Sequence, residues 1–319
     1  MKSTPVAFIT GATGIARAAA VELARRGYHV AAMARTREDV EETIRLVEAE
    51  GSEGLVITGD VSKNADVQEA YRQIDQRWNR LDVVFANAGI NGKWAPIEDI
   101  DLDDWHSVID INLTGTFITV KHAVPMLKRS GGGSIIITSS VNGTRMFSNS
   151  GASPYASTKA AQLAFGKMMA LELAPDRIRV NVICPGMIDT EIEETTDRDT
   201  FDEAQYPVEY PDGKLPLTHG RPGTSEDVAK LVAFLAGDEA RLITGTPVWI
   251  DGAQSLLVGL RGRLPPQLRT RNSSNSPVAS HLSTSTDSTR ASGGPVRTAS
   301  ISFSMAASSP SATIQTSPS

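Results

Sequence analysis

The chain has 319 residues, 40% apolar and 21% charged, with a formal net charge of −6 and a single cysteine. That length suffices for one large domain or two ordinary ones, and the acid excess argues against a nucleic-acid partner, which needs clustered Lys and Arg to neutralise phosphates. No run of about 18 apolar residues offers a membrane span, Cys184 has no second thiol for an internal disulfide, and MKSTP leads into a strand pattern with no apolar signal core, so a cytoplasmic location is expected.

VAFIT (6–10) reads as a strand, TGATGIAR as a glycine-containing turn, and the following residues as a helix to about Arg26, closed by Gly27 as a C-cap. HVAAMA is the second strand. Residues 38–50 form an amphipathic helix with Val40, Ile44 and Val47 on one face. LVITGD is a strand, and 65–78 a helix that places Val67, Tyr71, Ile74 and Trp78 on one face. LDVVFANAG is the fourth strand, 103–128 a long helix, SIIITSS a strand and 155–173 a second long helix. RVNVICPG, a helix over 226–235 and the strand PVWIDG complete the pattern.

Near-continuous apolar strands indicate a sheet covered on both faces, and intervening helices indicate parallel pairing through right-handed crossovers. The expected fold is α/β: a doubly wound (Rossmann) sheet of about seven parallel strands with helices on both faces. It is expected to occupy 1–258. Residues 259–319 are rich in Ser and Thr and carry six Arg and one Asp, with few large apolar residues. Such a segment cannot offset its ordering entropy and is expected to be disordered. Its lack of a repeat or docking motif favours an inert extension over a regulatory arm.

Ligands of such sheets bind beyond the carboxyl ends of the strands. There the sequence places TGATGIAR, Arg35, Asp60, the NAG of 87–89, Ser139 and Ser140, PGMIDT, and the helix bearing Tyr155 with Lys159 one turn on. Each is weak alone. Together, with INLTGTF at 111–117, YASTK at 155–159, RVNVICPGMIDT at 179–190 and ITGTPVWIDGA at 243–253 in that order, they resemble the short-chain dehydrogenase/reductase family in its single-domain branch. The resemblance covers about 1–258; 3-oxoacyl-thioester reductases are the commonest members with such sequences and sugar or polyol dehydrogenases come next, and these residues do not choose between them.

The resemblance implies an NAD(P)-dependent oxidoreductase with a tetrad of Asn112, Ser140, Tyr155 and Lys159. Tyr155 would be the general acid/base. A free phenol titrates near about 10, and a cationic Lys159 at i+4 would favour the phenolate. Ser140, the second Ser before the VNG turn, would hold the substrate oxygen, with Ser139 as the neighbouring candidate; the fifteen-residue step from Ser140 to Tyr155 is longer than usual. Asn112 would hold a water relaying protons toward Lys159. By the same carry-over, Gly11, Thr13, Gly14 and Ile15 form the phosphate turn. Asp60 and Val61 meet the adenine, and Asn87, Ala88 and Gly89 admit the cofactor close to the backbone. Pro185, Gly186, Ile188 and Thr190 frame the nicotinamide.

Two departures stand out. The usual turn of this branch is TGxxxGxG; here one residue is missing between Gly11 and Gly14, and Ala16 takes the last glycine place. Ala is tolerated there. The backbone amides of Gly14 and Ile15 should still meet phosphates from a helix N-terminus, giving a functional site with a shifted grip. The acidic residue that ends the second strand in NAD-preferring members is also absent: Ala34 is followed by Arg35, so NADP(H) is expected over NAD(H).

Other polar features suggest less. The five His show no ligand spacing, so no metal is expected, and Cys184 reads as a buried structural thiol. Residues 191–216, with Tyr206 and Tyr210, read as a substrate lid, and Trp94 as a possible pocket wall. The expected substrate is a small carbonyl compound or alcohol, and the expected assembly a homo-tetramer or dimer through 103–128 and 155–173. An NAD(H)-dependent polyol dehydrogenase, a non-catalytic cofactor sensor and a sugar-nucleotide enzyme of the extended branch (TGxxGxxG, which fails at Arg17) are the competing readings.

Overall fold

The structure, a computed structural model, describes residues 4–147, 151–197, 208–209, 215–257 and 260–261. The chain divides into two units, Met1–Pro265 and Pro266–Ser319, and the second holds no described residue. Apart from Leu260 and Arg261, the segment expected to be disordered therefore lies outside the described residues, as do Tyr206 and Tyr210.

Seven strands form one sheet: β1 (Val6–Thr10), β2 (His29–Ala34), β3 (Gly54–Thr58), β4 (Val83–Ala86), β5 (Gly133–Thr138), β6 (Ile178–Pro185) and β7 (Pro247–Ile250). Their spatial order is β3-β2-β1-β4-β5-β6-β7, and every pair is parallel. The order reverses between β1 and β4, which opens a crevice beyond their carboxyl ends.

Period-two alternation divides each strand between two cores. Ala7 and Ile9 of β1 face one layer, with Val83 and Phe85 of β4, α1 (Gly14–Arg25) and α7 (Ser225–Ala236). Val6 and Phe8 face the other, with Val84 of β4, α3 (Asn64–Trp78), α5 (Gly115–Arg129) and α6 (Ser153–Leu173). α1 buries Ala16, Ala19, Ala20 and Leu23, mostly small residues that let it lie close to sheet and α7. α2 (Arg37–Ala49) flanks β2 and β3. α7 starts with a capping box in which Thr224 Oγ1 accepts from Asp227 N while Asp227 accepts from Thr224 N.

Three local differences from the sequence expectations shape the site. β4 stops at Ala86 and β5 at Thr138, so NAG and both serines lie in the loops beyond them. The helix expected over 103–128 is interrupted: α4 (Leu102–Val108) passes through a π turn, Ile109–Thr114, before α5 begins. Residues 191–197 of the expected lid form a 3-10 turn, Glu191–Thr195, and a short strand, Thr196–Asp197, that pairs with Gly92–Lys93.

Candidate active site

A cleft of about 310 Å³ lies at the carboxyl edge of the sheet. It is lined by Gly11, Thr13, Gly14, Ile15, Arg35, Asp60, Val61, Asn87, Ala88, Gly89, Ser140, Tyr155, Lys159, Pro185, Gly186, Ile188 and Thr190. Every catalytic or cofactor-binding residue named from the sequence is thus in its wall except Asn112, which lies behind it, fully buried.

The glycine turn is short but anchored. Gly11 has φ +97°, and a Cβ there would come within 3.2 Å of both the Ala16 methyl and the Asn87 amide. Ala16 therefore fits the last glycine place only because Gly11 remains glycine. Thr43 Oγ1 on α2 donates to the Ala12 carbonyl at 2.7 Å and accepts from Arg17 Nε at 3.1 Å, tying the shortened loop to its neighbour. Thr13 is the N-cap of α1 with extended backbone and no side-chain capping bond. No cap side chain therefore claims the first amides of α1, as an anion-binding helix terminus requires. A pyrophosphate fits this cradle, although Glu191 also reaches it: a Cβ on Gly14 (φ +49°) would meet Glu191 Oε2 at 3.1 Å.

Thr10 Oγ1 accepts from the amides of Asn87 and Ala88, and Thr138 Oγ1 donates to Asn87 Oδ1 at 2.9 Å, so three adjacent strand ends hold the NAG loop. Arg35 projects from the end of β2 into the same cleft, exposed and with no carboxylate partner among the described residues. Asp39, nearby in the lining, pairs with Arg17 at 3.6 Å. On the opposite wall a Cβ on Gly186 would strike Gln254 Oε1 at 2.6 Å and Asp251. That tight approach lets Gln254 Oε1 accept from the Met187 amide at 2.8 Å, fixing the PG turn against the C-terminal loop.

The polar centre comes from α6 and the loop after β5. Tyr155 and Lys159 sit one turn apart, 7% and 2% exposed, with Lys159 Nζ 5.3 Å from the Tyr155 ring centroid. Nζ donates to the Thr138 carbonyl at 3.1 Å. Burial pulls the Lys159 ammonium down to about 8, partly opposed by the nearby Cys184. The two serines separate cleanly. Ser139 Oγ donates to the Lys159 carbonyl at 2.6 Å and is spent on the helix backbone, whereas Ser140 Oγ accepts from the Asn142 amide at 3.1 Å, which leaves its own proton to donate elsewhere.

Asn112 sits in the π turn with both ends of its side chain hydrogen-bonded. Oδ1 accepts from the Ile90 amide at 2.8 Å, and Nδ2 donates to the Ile90 carbonyl and to Thr158 Oγ1. Its carbonyl accepts from Thr116 Oγ1 and from Gln162 Nε2. A Cβ on Gly89 would lie 3.1 Å from Asn112 Oδ1 and 3.5 Å from Lys159 Nζ, so this glycine keeps open the space between them.

Trp94 does not line the cleft; it is buried in the loop after NAG, its amide bonded to the Asp197 carbonyl. Cys184 is buried, and that burial raises its thiol to about 11, the opposite of an activated nucleophile. Among the described residues no group of three His, Cys, Asp or Glu is placed to hold a metal, and no helix is long and apolar enough to cross a membrane. Sequence reasoning missed Thr43, Glu191 and Gln162. Each acts through a partner distant in the chain, and none belongs to a local motif.

Comparison with known proteins shows what the chain is similar to. Residues 10–253 match a family model described as enoyl-(acyl carrier protein) reductase. A 3-oxoacyl-[acyl-carrier-protein] reductase FabG of Staphylococcus aureus is 35% identical over 254 residues, covering 79% of this chain and 98% of that protein. The crystal structure of a 3-ketoacyl-ACP reductase from Sinorhizobium meliloti is 46% identical, with a TM-score of 0.73 over 79% of this chain and 99% of its own. A carveol dehydrogenase from Mycobacterium avium in complex with NAD is 31% identical, with a TM-score of 0.70 over 79% and 98%.

Proposed function

The chain belongs to the short-chain dehydrogenase/reductase family of NAD(P)-dependent oxidoreductases, and from that premise we propose that it interconverts a small carbonyl compound and a secondary alcohol with Tyr155 as general acid/base. The observation that carries this is the buried Lys159 ammonium beside the Tyr155 ring, with the Ser140 hydroxyl on the same cleft wall. When bound, the nicotinamide supplies or accepts the hydride. The protein's share is orientation and proton handling. Ser140, its oxygen already accepting from Asn142, donates to the substrate oxygen. Tyr155 gives that oxygen its proton during reduction and takes it back during oxidation. Lys159 stabilises the resulting phenolate, and does so strongly because little water reaches either group.

Arg35 supports NADP(H) over NAD(H). Among the described residues it is a cation without a carboxylate partner, at the place where a ribose 2′-phosphate would lie, and Asp39 is already matched by Arg17. An acidic residue there would repel that phosphate. The substrate reading closest to the relatives is a 3-oxoacyl thioester. A polyol oxidised with NAD(H) is the alternative; the similarity to a carveol dehydrogenase in complex with NAD supports its cofactor.

The test is a screen of ketones, 3-oxoacyl thioesters and polyols, followed by nicotinamide absorbance, with Tyr155→Phe alongside. Turnover should fall at least about 100-fold in Tyr155→Phe, and kcat/KM should favour NADPH, with Arg35→Asp reversing the preference. Undiminished activity in Tyr155→Phe overturns the mechanism; a clear NADH preference in the wild type overturns the cofactor assignment.

A further inference from the structure

α6 presents two adjacent stripes to the site. Tyr155 and Lys159 form one, facing the cleft. Thr158 and Gln162, also four residues apart, form the other and face Asn112. Thr158 Oγ1 accepts from the Asn112 side chain and donates to the Tyr155 carbonyl, so it ties the two stripes together. Gln162 grips the other side of the same residue. Its Nε2 donates to the Asn112 carbonyl at 2.8 Å and to Thr116 Oγ1 at 2.8 Å, and Thr116 in turn donates to that carbonyl at 2.6 Å.

Gln162 is 1% exposed, and its Oε1 has no partner among the described residues. A buried amide with an orphaned oxygen is costly to hold, and an apolar side chain of that length would fill the space without the cost. The clamp it makes falls on the π turn Ile109–Thr114, an irregular element that needs outside support to persist. Two side-chain donors thus converge on the Asn112 carbonyl.

We propose that Gln162 is a positioning residue for proton transfer: by clamping the Asn112 carbonyl it sets Asn112 Oδ1 across Gly89 from the Lys159 ammonium. This rests on Tyr155 and Lys159 being the proton-handling pair. Releasing the clamp lets the π turn relax and withdraws an oxygen dipole from the ammonium, while cofactor contacts on the far side of the cleft stay in place.

Gln162→Met keeps length and volume and removes both hydrogen-bonding groups. It should lower kcat about 10-fold or more, with KM little changed and a larger solvent deuterium isotope effect. Cofactor Kd should stay within about two-fold. In lysine-labelled protein the Lys159 side-chain NMR titration should move to lower pH, because the charged form has lost a partner. Thr116→Val, a milder cut in the same clamp, should move the same quantities less and serves if Gln162→Met fails to fold. Unchanged kcat, isotope effect and Lys159 titration, or a lowered melting temperature alone, overturns the assignment. The titration needs no turnover: a wild-type protein that reduces no carbonyl compound counts against the proposed function, a Lys159 titration that does not move counts against Gln162.

Discussion

Lys159 is a charge held where solvent does not reach, 2% exposed and with its ammonium brought from 10.5 down to about 8 by burial. Below about pH 8 both folded and unfolded chains carry the proton, and the folded state bears the full desolvation cost. Between about 8 and 10.5 the unfolded chain still holds the proton while the folded one has released it, so this group makes stability rise with pH. Cys184 acts in the opposite sense: its thiol is raised from 9.0 to about 11, so its contribution to stability falls across that upper range. Comparing Lys159→Met with the wild type at each pH isolates the lysine. The stability difference should shift in favour of the wild type by up to about 3 kcal/mol from pH 7 to 10.5, whatever offset losing the bond to Thr138 adds, while kcat falls at least about 100-fold. Denaturant melts across that range check this, and a difference independent of pH refutes it. At this scale the sequence supplied residue types but not their partners. Ser139 and Ser140 are indistinguishable as letters. They part only when the chain turns past β5, sending one hydroxyl into the backbone of α6 and leaving the other at the cleft. Gln162 has no local signature at all, because its meaning lies in a π turn fifty residues away.

The elements were legible where hydrophobic period and length agreed, and less so where one residue more or less mattered. The strands and most helices fall within a few residues of their apolar patterns. The π turn between α4 and α5 shifts the bonding register by one residue, too little to disturb an amphipathic pattern over 103–128, so the sequence reads as a single regular helix. The glycine turn was legible as short, and the structure shows what compensates: the Thr43 hydroxyl holds Ala12, and α1 begins at Gly14. What could not be read is that Glu191, from the loop after β6, places a carboxylate beside Gly14 at the N-terminus of α1. That terminus carries partial positive charge and favours an anion. A carboxylate held there opposes the phosphates of a nucleotide by repulsion. Glu191→Gln should therefore tighten nucleotide binding about two- to five-fold at low ionic strength, and the gain should shrink as salt screens the exposed charge. Fluorescence titration with NADPH and NADH at two salt concentrations reads this directly; weaker binding in Glu191→Gln would mean the carboxylate supports the site instead.

For the molecule as a whole, the parallel, doubly wound sheet could be inferred because alternating strands and helices admit few un-knotted, right-handed windings. The switch between β1 and β4 then fixes where the chemistry must lie. The surface is harder to read, because an apolar residue on a helix can face either the sheet or a second molecule. α5 and α6 both exceed the single apolar stripe that the sheet needs. Their inward faces bury Val120, Leu127, Ala170 and Leu173, yet Phe117 remains 47% exposed, Met168 64% and Leu171 77%. Phe117 stacks edge-on with Phe165, 6.2 Å between centroids, and Lys121 lies over the Phe117 ring, so the two helices share one apolar outer patch. Contiguous exposed apolar area on two parallel-running elements marks an association surface, and a twofold arrangement would let each copy cover the other's patch. Light scattering of the wild type should give a dimer or tetramer of the 34.0 kDa chain. The double substitution Phe117→Lys, Leu171→Glu should lower that mass without unfolding the sheet, since both side chains point away from it. A second copy over this patch would stiffen α6, which carries Tyr155, Lys159 and Gln162, so the dissociated variant should lose kcat more than nucleotide affinity. A wild type that runs as a monomer, or a variant that keeps its mass, would show that the patch serves no self-association.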